Sequence, residues 1–176
     1  MRRQLAAGAL AALLILSAAP TPARAAFADA QGHWAQEVVE KAQAYGLVEG
    51  KPDGTFGVGE EMTRSQFVTV LCRMFGWETV SPQTSSYIDC SPSAWYYTAV
   101  ETARAHDVMD PSGAFRPEDY ISRGEMAVML VRALGYDSLA QSLTGLSLPF
   151  DDVKEDEGYM AIAYDIGMIQ GVAGPD

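Results

Sequence analysis

The sequence has little cysteine and almost no short alternating apolar pattern. Its two cysteines, Cys72 and Cys90, are too few for a disulfide framework. An exported chain could pair them, but Cys72 falls on the apolar stripe of a predicted helix, so we expect two small buried thiols rather than a bridge. Because apolar residues rarely alternate with a period of two, a fold built on half-buried strands is excluded and an all-α fold is predicted.

Positive charge is also scarce. The 12 lysines and arginines are outnumbered by 23 acidic residues, which gives a net charge of -11. Without the three arginines of the first 25 residues, the net charge is about -14. Such a chain is poorly suited to nucleic acid or to anionic membrane surfaces. Any anionic ligand must therefore be held by a locally placed cation.

The one long apolar run lies at the N-terminus. Residues 1–25 combine two arginines near the start, an apolar run over 5–19 and a small-residue motif at 23–25, the three parts of a secretory signal peptide. The run is too short, and too soon followed by proline, for a good membrane span. We expect an exported mature protein that starts at Ala26 and has no transmembrane segment.

What the chain does contain is an internal repeat with a period of about 60 residues. The separation of Phe56 from Arg64 equals that of Phe115 from Arg123, and loops keep this register as well as helices. We predict unit 1 at 27–78, unit 2 at 87–137 and a partial unit 3 at 150–176. Three explanations of the partial unit stay open: the natural chain ends early, the sequence is truncated, or another subunit completes it.

Each unit is predicted to be two helices joined by a glycine-rich loop. Gly54 and Gly113 lie in these loops, where we expect a backbone with positive φ. The methionines are expected to pack in the core. The second helices carry apolar residues at helical spacing, namely Phe67, Val70, Leu71, Met74 and Phe75 in unit 1 and Met126, Met129, Leu130, Ala133 and Leu134 in unit 2.

The second helix of each unit begins at a capping-box motif. Thr63 with Gln66, and Ser122 with Glu125, have the spacing in which a hydroxyl caps the third amide and the third side chain returns to the cap residue. These four residues are therefore predicted to start the second helices.

This cap leaves an arginine at the first helical position of both second helices. A cation there opposes the helix macrodipole by roughly 0.3 to 1 kcal/mol. A carboxylate ligand would reverse the sign, because both the free amides of a helix N-terminus and a guanidinium fork bind it. The alternative is a solvated ion pair, of Arg64 with Glu60 or Glu61 and of Arg123 with Glu118 or Asp119.

The ordered landmarks resemble the S-layer homology domains of exported bacterial proteins, over residues 27–176. The resemblance rests on Phe27-x-Asp29, Trp34, residues 46–50, 52–56 and 62–66 in unit 1, and on Asp89, Trp95, Gly113-x-Phe115-x-Pro117 and residues 121–125 in unit 2. It implies three units packed as a pseudo-threefold helical bundle. It also implies grooves that bind a secondary cell-wall polysaccharide, often with a pyruvate ketal, and so hold the protein on the surface without a covalent bond.

With this resemblance, a pyruvyl carboxylate is the expected ligand of the two arginines. The tryptophans could stack on a sugar ring or equally anchor a core, and the two aspartates could accept sugar hydroxyls or serve as cap and turn formers. We expect no catalytic residue, no cofactor and no metal site, and other S-layer subunits are further candidate partners. The candidate ligand-binding residues are Arg64, Arg123, Asp29, Asp89, Trp34, Trp95, Gly54, Gly113, Thr63, Ser122, Gln66 and Glu125.

Some positions depart from the family pattern. Gln66 stands where the family usually has Glu. In unit 2, Asp107 stands where unit 1 has Gly46 and the loop at 110–113 is two residues shorter, so we expect a reshaped groove. Unit 3 has neither an evident tryptophan nor the arginine motif. We therefore expect at most two complete grooves.

Two other functions stay open. The chain could be the attachment region of an exported enzyme, such as a glycan hydrolase, whose catalytic domain lies outside these 176 residues. No HExxH motif, GxSxG motif or credible carboxylate pair occurs within them. It could also be a calcium-dependent module, since residues 51–54 and the acidic run 151–157 superficially suit a cation, although neither has the ligand spacing of an EF-hand.

Overall fold

The computed structural model describes residues 27–110, 113–146, 148 and 155–170, and these residues are helical without strands. The single extended pairing among them is an isolated bridge between Thr63 and Tyr120. The predicted all-α fold is therefore confirmed, whereas the predicted signal peptide and both ends of unit 3 lie outside the described residues. After a 3-10 turn at Ala28–Ala30, the helices are α1 Gln36–Ala44, α2 Arg64–Phe75, α3 Tyr97–Ala105, α4 Arg123–Ala133, α5 Asp137–Ser142 and α6 Glu157–Asp165.

The first helix of each unit ends in the same backbone conformation. Gly46, Asp107 and Gly167 follow α1, α3 and α6 with φ of 71°, 56° and 75°. Asp107 thus adopts the left-handed conformation of its glycine counterparts, which Asp tolerates better than most residues. The helix end is therefore unchanged by Asp107, and a reshaped groove in unit 2 stays a prediction. In each case the next amide donates back into the helix: Leu47 to Ala42, Val108 to Ala103 and Met168 to Ala163, at 2.9, 3.1 and 2.8 Å.

The main helix packing joins neighbouring units rather than the two helices of one unit. Helix α2 packs on α3, α4 packs on α6, and α5 lies against both α6 and α4. The largest core combines Val68 and Leu71 of α2 with Val100 and Ala103 of α3, and Phe115 also lies in it. A second core joins α4, α5 and α6. Each second helix therefore belongs to the core of the following unit.

Helix α1 packs in a third, small core. Phe27, Ala30 and Val39 form it, with Phe56 and Val58 from the loop of the same unit packed against them. Gly50 is required at this contact, because a Cβ there would lie 2.0 Å from a ring carbon of Phe27. Among the described residues, helix α1 is thus held mainly by the loop of its own unit.

The buried stripe of the second helices is rotated from the predicted one. In α2 the buried apolar residues are Val68 and Leu71, on the face shared with Ser65, whereas Met74 is exposed. Nine residues at 100° per residue place Met74 on the side of the helix opposite Ser65. The expectation that methionines pack in the core is wrong for Met74, and also for Met62 and Met168, which are exposed. In α4 the buried residues are Ala127, Met129 and Val131, and Leu134 is exposed.

The two cysteines are free thiols, as predicted. Cys90 is buried and Cys72 half-buried, with Cys72 Sγ donating to the carbonyl oxygen of Ala99 at 3.2 Å. Burial raises the pKa of each thiol to about 11. Both are therefore protonated packing groups at neutral pH.

The connection between units 1 and 2 is bound along α3. The buried carboxylate of Glu101 accepts the amide of Ser86 at 2.8 Å and its hydroxyl at 2.7 Å. Tyr97 donates its hydroxyl to the carbonyl of Pro82 at 2.8 Å. The link is thus part of the packed fold rather than a free linker. Across the described residues, every helix is too short or too polar to span a bilayer.

Candidate functional site

Both predicted capping boxes are present. Thr63 Oγ1 accepts the amide of Gln66 at 3.3 Å, and Gln66 Oε1 accepts the amide of Thr63 at 2.9 Å. Ser122 Oγ and Glu125 form the same reciprocal pair, at 3.2 and 2.9 Å. The starts of α2 and α4 are therefore fixed by local side chains as the sequence predicts. A direct contact of these four residues with a ligand stays a prediction.

The arginine that starts α2 is buried against unit 2. Arg64 donates Nε to the carbonyl of Phe115 at 2.7 Å and Nη1 to Glu125, and its guanidinium lies 5.1 Å from the centroid of the Phe115 ring. The amides of Arg64 and Ser65 donate to the carbonyls of Asp119 and Pro117, at 2.9 and 3.1 Å. Burial lowers the pKa of Arg64, although the charge of Glu125 opposes this effect. Protein acceptors thus already bind the guanidinium of Arg64 and the first two amides of α2.

Glu125 joins two arginines from different units. Its Oε1 accepts from Arg64 and from Arg116, the latter at 2.7 Å. Partial burial raises the pKa of Glu125, but the Ser122 amide and the two arginines lower it by more, so the net shift is downward. We call Arg64, Phe115, Arg116 and Glu125 the Arg64 cluster. The alternative pairing of Arg64 with Glu60 or Glu61 is wrong, because the ion pair that Arg64 forms is with Glu125, and Glu60 pairs with Lys51.

The arginine that starts α4 has a different environment. Arg123 is exposed and donates Nη2 to the carbonyl of Gln170 at 2.9 Å. It forms no ion pair within the described part of the chain, and the alternative partner Asp119 pairs with Arg116 instead. Among the same residues, the amides of Arg123 and Gly124 have no hydrogen-bond acceptor. This helix N-terminus therefore presents a cation and two open amides.

The two aspartates organise the loops that precede the second helices. Asp29 accepts the amides of Phe56, Gly57 and Val58 at 2.8, 2.7 and 3.0 Å. These hydrogen bonds, the one from Phe56 first, lower the pKa of Asp29 to about 2. Asp89 accepts the amides of Phe115 and Arg116 at 2.8 and 2.7 Å. Desolvation raises its pKa, but these two bonds lower it by more. Neither aspartate caps the helix that follows it, because each binds a loop 26 to 29 residues later in the sequence. Their contact with a ligand stays a prediction.

The two tryptophans are exposed. Trp34 is 85% exposed and Trp95 is 65% exposed, so the core-anchor interpretation is wrong for both. The Trp34 ring lies at a tilt to His33 and the Trp95 ring lies edge-on to Tyr96, with centroids 5.4 Å apart in both pairs. Both rings therefore have free surface that could stack on a ligand.

The loop glycines meet a conformational requirement. Gly54 and Gly113 have φ of 85° and 102°, which confirms the predicted positive φ. A Cβ at either position would meet no atom within 4 Å, so the backbone conformation and not crowding favours glycine. Their approach to a ligand stays a prediction.

Sequence reasoning missed Arg116 and Tyr120. Arg116 has φ of 59° and pairs with Asp119 and Glu125 from the loop of unit 2. Tyr120 is exposed, and its backbone bridges to Thr63. The sequence contained a signal for Arg116. Phe56 and Phe115 are equivalent in the repeat, and the residue that follows them is Gly57 in unit 1 but Arg116 in unit 2.

In the ranges that the structure describes, no group of three His, Cys, Asp or Glu side chains could hold a metal ion. In the candidate calcium segment 51–54, the Asp53 carboxylate accepts the amide and hydroxyl of Thr55, at 3.0 and 2.7 Å. Those bonds make it part of a local turn. Residues 151–154 of the second acidic candidate lie outside the described residues.

Comparison with known families agrees with this repeated architecture. Residues 26–68 and 87–127 match the family described as "S-layer homology domain". The chain belongs to this family. The two matched segments run from the start of each unit into its second helix.

Curated relatives of this S-layer homology chain are surface proteins and an enzyme. Middle cell wall protein of Brevibacillus brevis is 30% identical over 107 residues, 58% of this chain and 10% of that protein. Cell surface glycoprotein 1 of Acetivibrio thermocellus is 32% identical over 138 residues, 72% of this chain and 6% of that protein. A Bacillus anthracis protein named an uncharacterized cell wall amidase is 34% identical over 155 residues, 86% of this chain and 28% of that protein.

The chain thus spans no more than 28% of the length of any of these three relatives. Family membership and the surface proteins among the relatives support a function in cell-surface anchoring. They also indicate a location at the cell surface or cell wall.

Proposed function

We propose that this chain holds protein on the cell wall without a covalent bond, by binding an acidic wall polysaccharide at the start of α4. The observation that carries the proposal is Arg123, an exposed cation at the positive end of a helix dipole with no carboxylate partner in the described chain. A sugar-borne carboxylate such as a pyruvate ketal would satisfy both the guanidinium and the open amides. Charge-assisted bonds of this kind are the stronger class of hydrogen bond.

In this proposal the two arginines have different roles. Arg64 holds unit 1 against unit 2, because its Nε and Nη1 already donate to Phe115 and Glu125. A ligand carboxylate that took the place of Glu125 would have to displace a buried ion pair. Arg123 is the first candidate for ligand contact.

The exposed tryptophans support a carbohydrate ligand, and the net charge limits where an acidic one can bind. Trp34 and Trp95 expose ring surface that suits the apolar face of a sugar. The net charge of -11 repels an acidic polymer in general, so attraction has to be local. Binding should therefore weaken as salt screens the contact at Arg123.

The test compares Arg123→Gln with a matched variant, Arg73→Gln, in which an arginine paired with Glu49 is neutralised instead. Both are titrated with purified wall polysaccharide, before and after removal of its pyruvyl groups. We expect Arg123→Gln to weaken binding by about tenfold, the loss of one charge-assisted contact of about 1.4 kcal/mol. Arg73→Gln should bind as the parent does. Equal binding by the Arg123 variant, or equal binding to the polymer without pyruvate, contradicts the proposed site.

A second candidate function is attachment of an exported enzyme, which the relative named a cell wall amidase favours. In that case the chain supplies binding and another domain supplies catalysis. An antibody against this chain would then detect, in the cell-wall fraction, a polypeptide much larger than 18.9 kDa. A band near that mass would contradict this candidate and leave the anchoring proposal unchanged.

A further inference from the structure

Two arginines donate to one carboxylate oxygen at the contact between units 1 and 2. Glu125 Oε1 accepts from Arg64 Nη1 and from Arg116 Nη2, the latter at 2.7 Å. Arg64 belongs to unit 1, whereas Arg116 and Glu125 belong to unit 2. Hydrogen bonds between guanidinium groups and a carboxylate are charge-assisted and belong to the stronger class. The Arg64 cluster therefore contains a carboxylate site whose occupant is a side chain of the same chain.

The charge of Glu125 is not needed for the helix cap. In the capping box of α4, Glu125 Oε2 accepts the amide and the hydroxyl of Ser122, at 2.9 and 3.0 Å. Gln66 makes the equivalent amide contact in α2 with a neutral side chain. A glutamine has an NH₂ group, a donor, in place of the second carboxylate oxygen. The second oxygen and the charge of Glu125 therefore serve the two arginines and not the start of α4.

The two arginines can bind a different carboxylate when Glu125 is absent. Arg64 is buried, and Glu125 is its one ion-pair partner in the described part of the chain. A guanidinium keeps its proton in a protein, and a buried charge without a partner is costly. The site is also accessible to a solute, because the side chains of Glu125 and Arg116 are 32% and 53% exposed. Removal of Glu125 thus leaves a cationic site that a carboxylate from solution can reach.

We propose that Glu125 is an internal competitor for the carboxylate of the ligand. It keeps the Arg64–Arg116 pair closed, so the acidic sugar binds at Arg123 and is excluded from Arg64. Glu125 belongs to the same chain and is held by its own capping box, which gives its carboxylate a high effective concentration at the two arginines. Glu125 therefore determines which of the two like arginine motifs is open. The identity of the ligand rests on the proposed function, whereas the closure rests on the Arg64 cluster alone.

The first test replaces the internal competitor by a free carboxylate. Glu125→Ala removes two carbons with their carboxylate oxygens, and acetate consists of the same atoms. Thermal unfolding of this variant is followed at pH 7 in sodium acetate and in sodium chloride at equal concentration. With acetate at about ten times its dissociation constant, we expect a Tm about 3 to 6 °C higher than in chloride. The parent, in which Glu125 fills the site, should not show this difference.

Two control variants locate the acetate effect. Gln66→Ala loses the matching cap side chain of α2, to which the described residues bring no arginine, so acetate should not raise its Tm. Arg64→Met added to Glu125→Ala removes the buried cation. Most of the acetate effect should then disappear, because only the exposed Arg116 remains.

The second test uses Glu125→Gln, which keeps the cap acceptor and decides the question if Glu125→Ala does not fold. Purified wall polysaccharide is titrated into this variant and into the parent. We expect tighter binding by Glu125→Gln, by about threefold or more, because a sugar carboxylate then reaches the Arg64–Arg116 pair. Glu37→Gln neutralises an exposed acid of α1 instead and should bind as the parent does, which excludes a general effect of net charge.

Three results would overturn the proposal. One is a Tm of Glu125→Ala that acetate raises no more than it raises that of the parent. Another is an acetate effect that Arg64→Met leaves intact, and the third is polysaccharide binding that Glu125→Gln leaves unchanged or weakens. Failure of the proposed function has a different signature, because it appears as unchanged binding by Arg123→Gln, and the acetate measurements do not involve Arg123.

Discussion

Replacement of Glu125 by Gln tests whether the Arg64 cluster holds units 1 and 2 together. The substitution removes one negative charge and little else. Gln66 shows that a glutamine at this position of the cap still accepts the amide of its cap residue, at 2.9 Å. The capping box of α4 should therefore persist in Glu125→Gln, so the measured change in stability should come from the lost charge.

The magnitude follows from the burial of the pair. Loss of one partner from a buried ion pair costs about 3 to 5 kcal/mol, and loss of an exposed pair costs less than about 1. The Arg64 side chain is 10% exposed but that of Glu125 is 32% exposed, and Arg64 keeps its bond to the Phe115 carbonyl. We therefore expect the free energy of unfolding to fall by about 2 kcal/mol, between those limits. For a chain of this size, that lowers Tm by about 4 to 8 °C.

The assay is thermal and urea unfolding followed by circular dichroism, with two controls. Gln66→Glu introduces the same acid in unit 1, where the described residues bring no arginine to it, and should change stability by less than about 1 kcal/mol. Arg64→Met removes the buried cation and leaves only the exposed Arg116 pair, so Glu125→Gln added to that variant should cost less than about 1 kcal/mol. An equal cost of Glu125→Gln in both backgrounds would refute the reasoning, because the charge of Arg64 would then have no part in it.

Three further predictions concern packing, pH and thiol reactivity. Gly158→Ala should lower the free energy of unfolding by about 1 to 3 kcal/mol, because the added Cβ would lie 1.9 Å from a backbone oxygen. The control is Gly124→Ala, whose Cβ would lie 4.0 Å from the nearest atom and which should be neutral or stabilising in the same thermal unfolding measurements. The pKa of Asp29 is about 2 in the folded protein and about 3.9 in the unfolded chain. Its contribution to stability is therefore present above about pH 4 and is lost as pH falls toward about 2. Asp29→Asn should flatten the dependence of Tm on pH in that range. Cys72 and Cys90 should react slowly with iodoacetamide at pH 8 in the folded protein and rapidly in urea, because burial raises the pKa of both thiols to about 11; equal rates would contradict that burial.

The parts of the fold set by near neighbours in sequence could be predicted. The capping boxes at Thr63 and Ser122 depend on residues three positions away, and the glycine turn at Gly54 depends on one backbone angle. The helical class followed from periodicity alone. The predicted buried face of α2 is rotated about the helix axis from the observed one, because the buried face depends on how α3 packs against α2. Met74 was predicted in the core for that reason.

The candidate site could be predicted only in part, because its decisive contacts are distant in sequence. Arg64 pairs with an acid 61 positions away, and the nearer Glu60 pairs with Lys51. The motif is the same at Arg123, yet the surroundings differ because a neighbouring unit contributes them. Exposure of Trp34 and Trp95 likewise depends on which elements pack nearby, and periodicity within one helix does not contain that information.

The pairing of each second helix with the following first helix has a consequence for how such chains can recombine. A crossover between units, in the stretch that Glu101 binds, would separate α2 from α3 and divide the largest core. A crossover inside a unit, in the loop ahead of α2 or of α4, would transfer that helix pair intact. Crossovers should therefore be tolerated best in the loops inside the units, about half a repeat away from the boundaries of the sequence repeat.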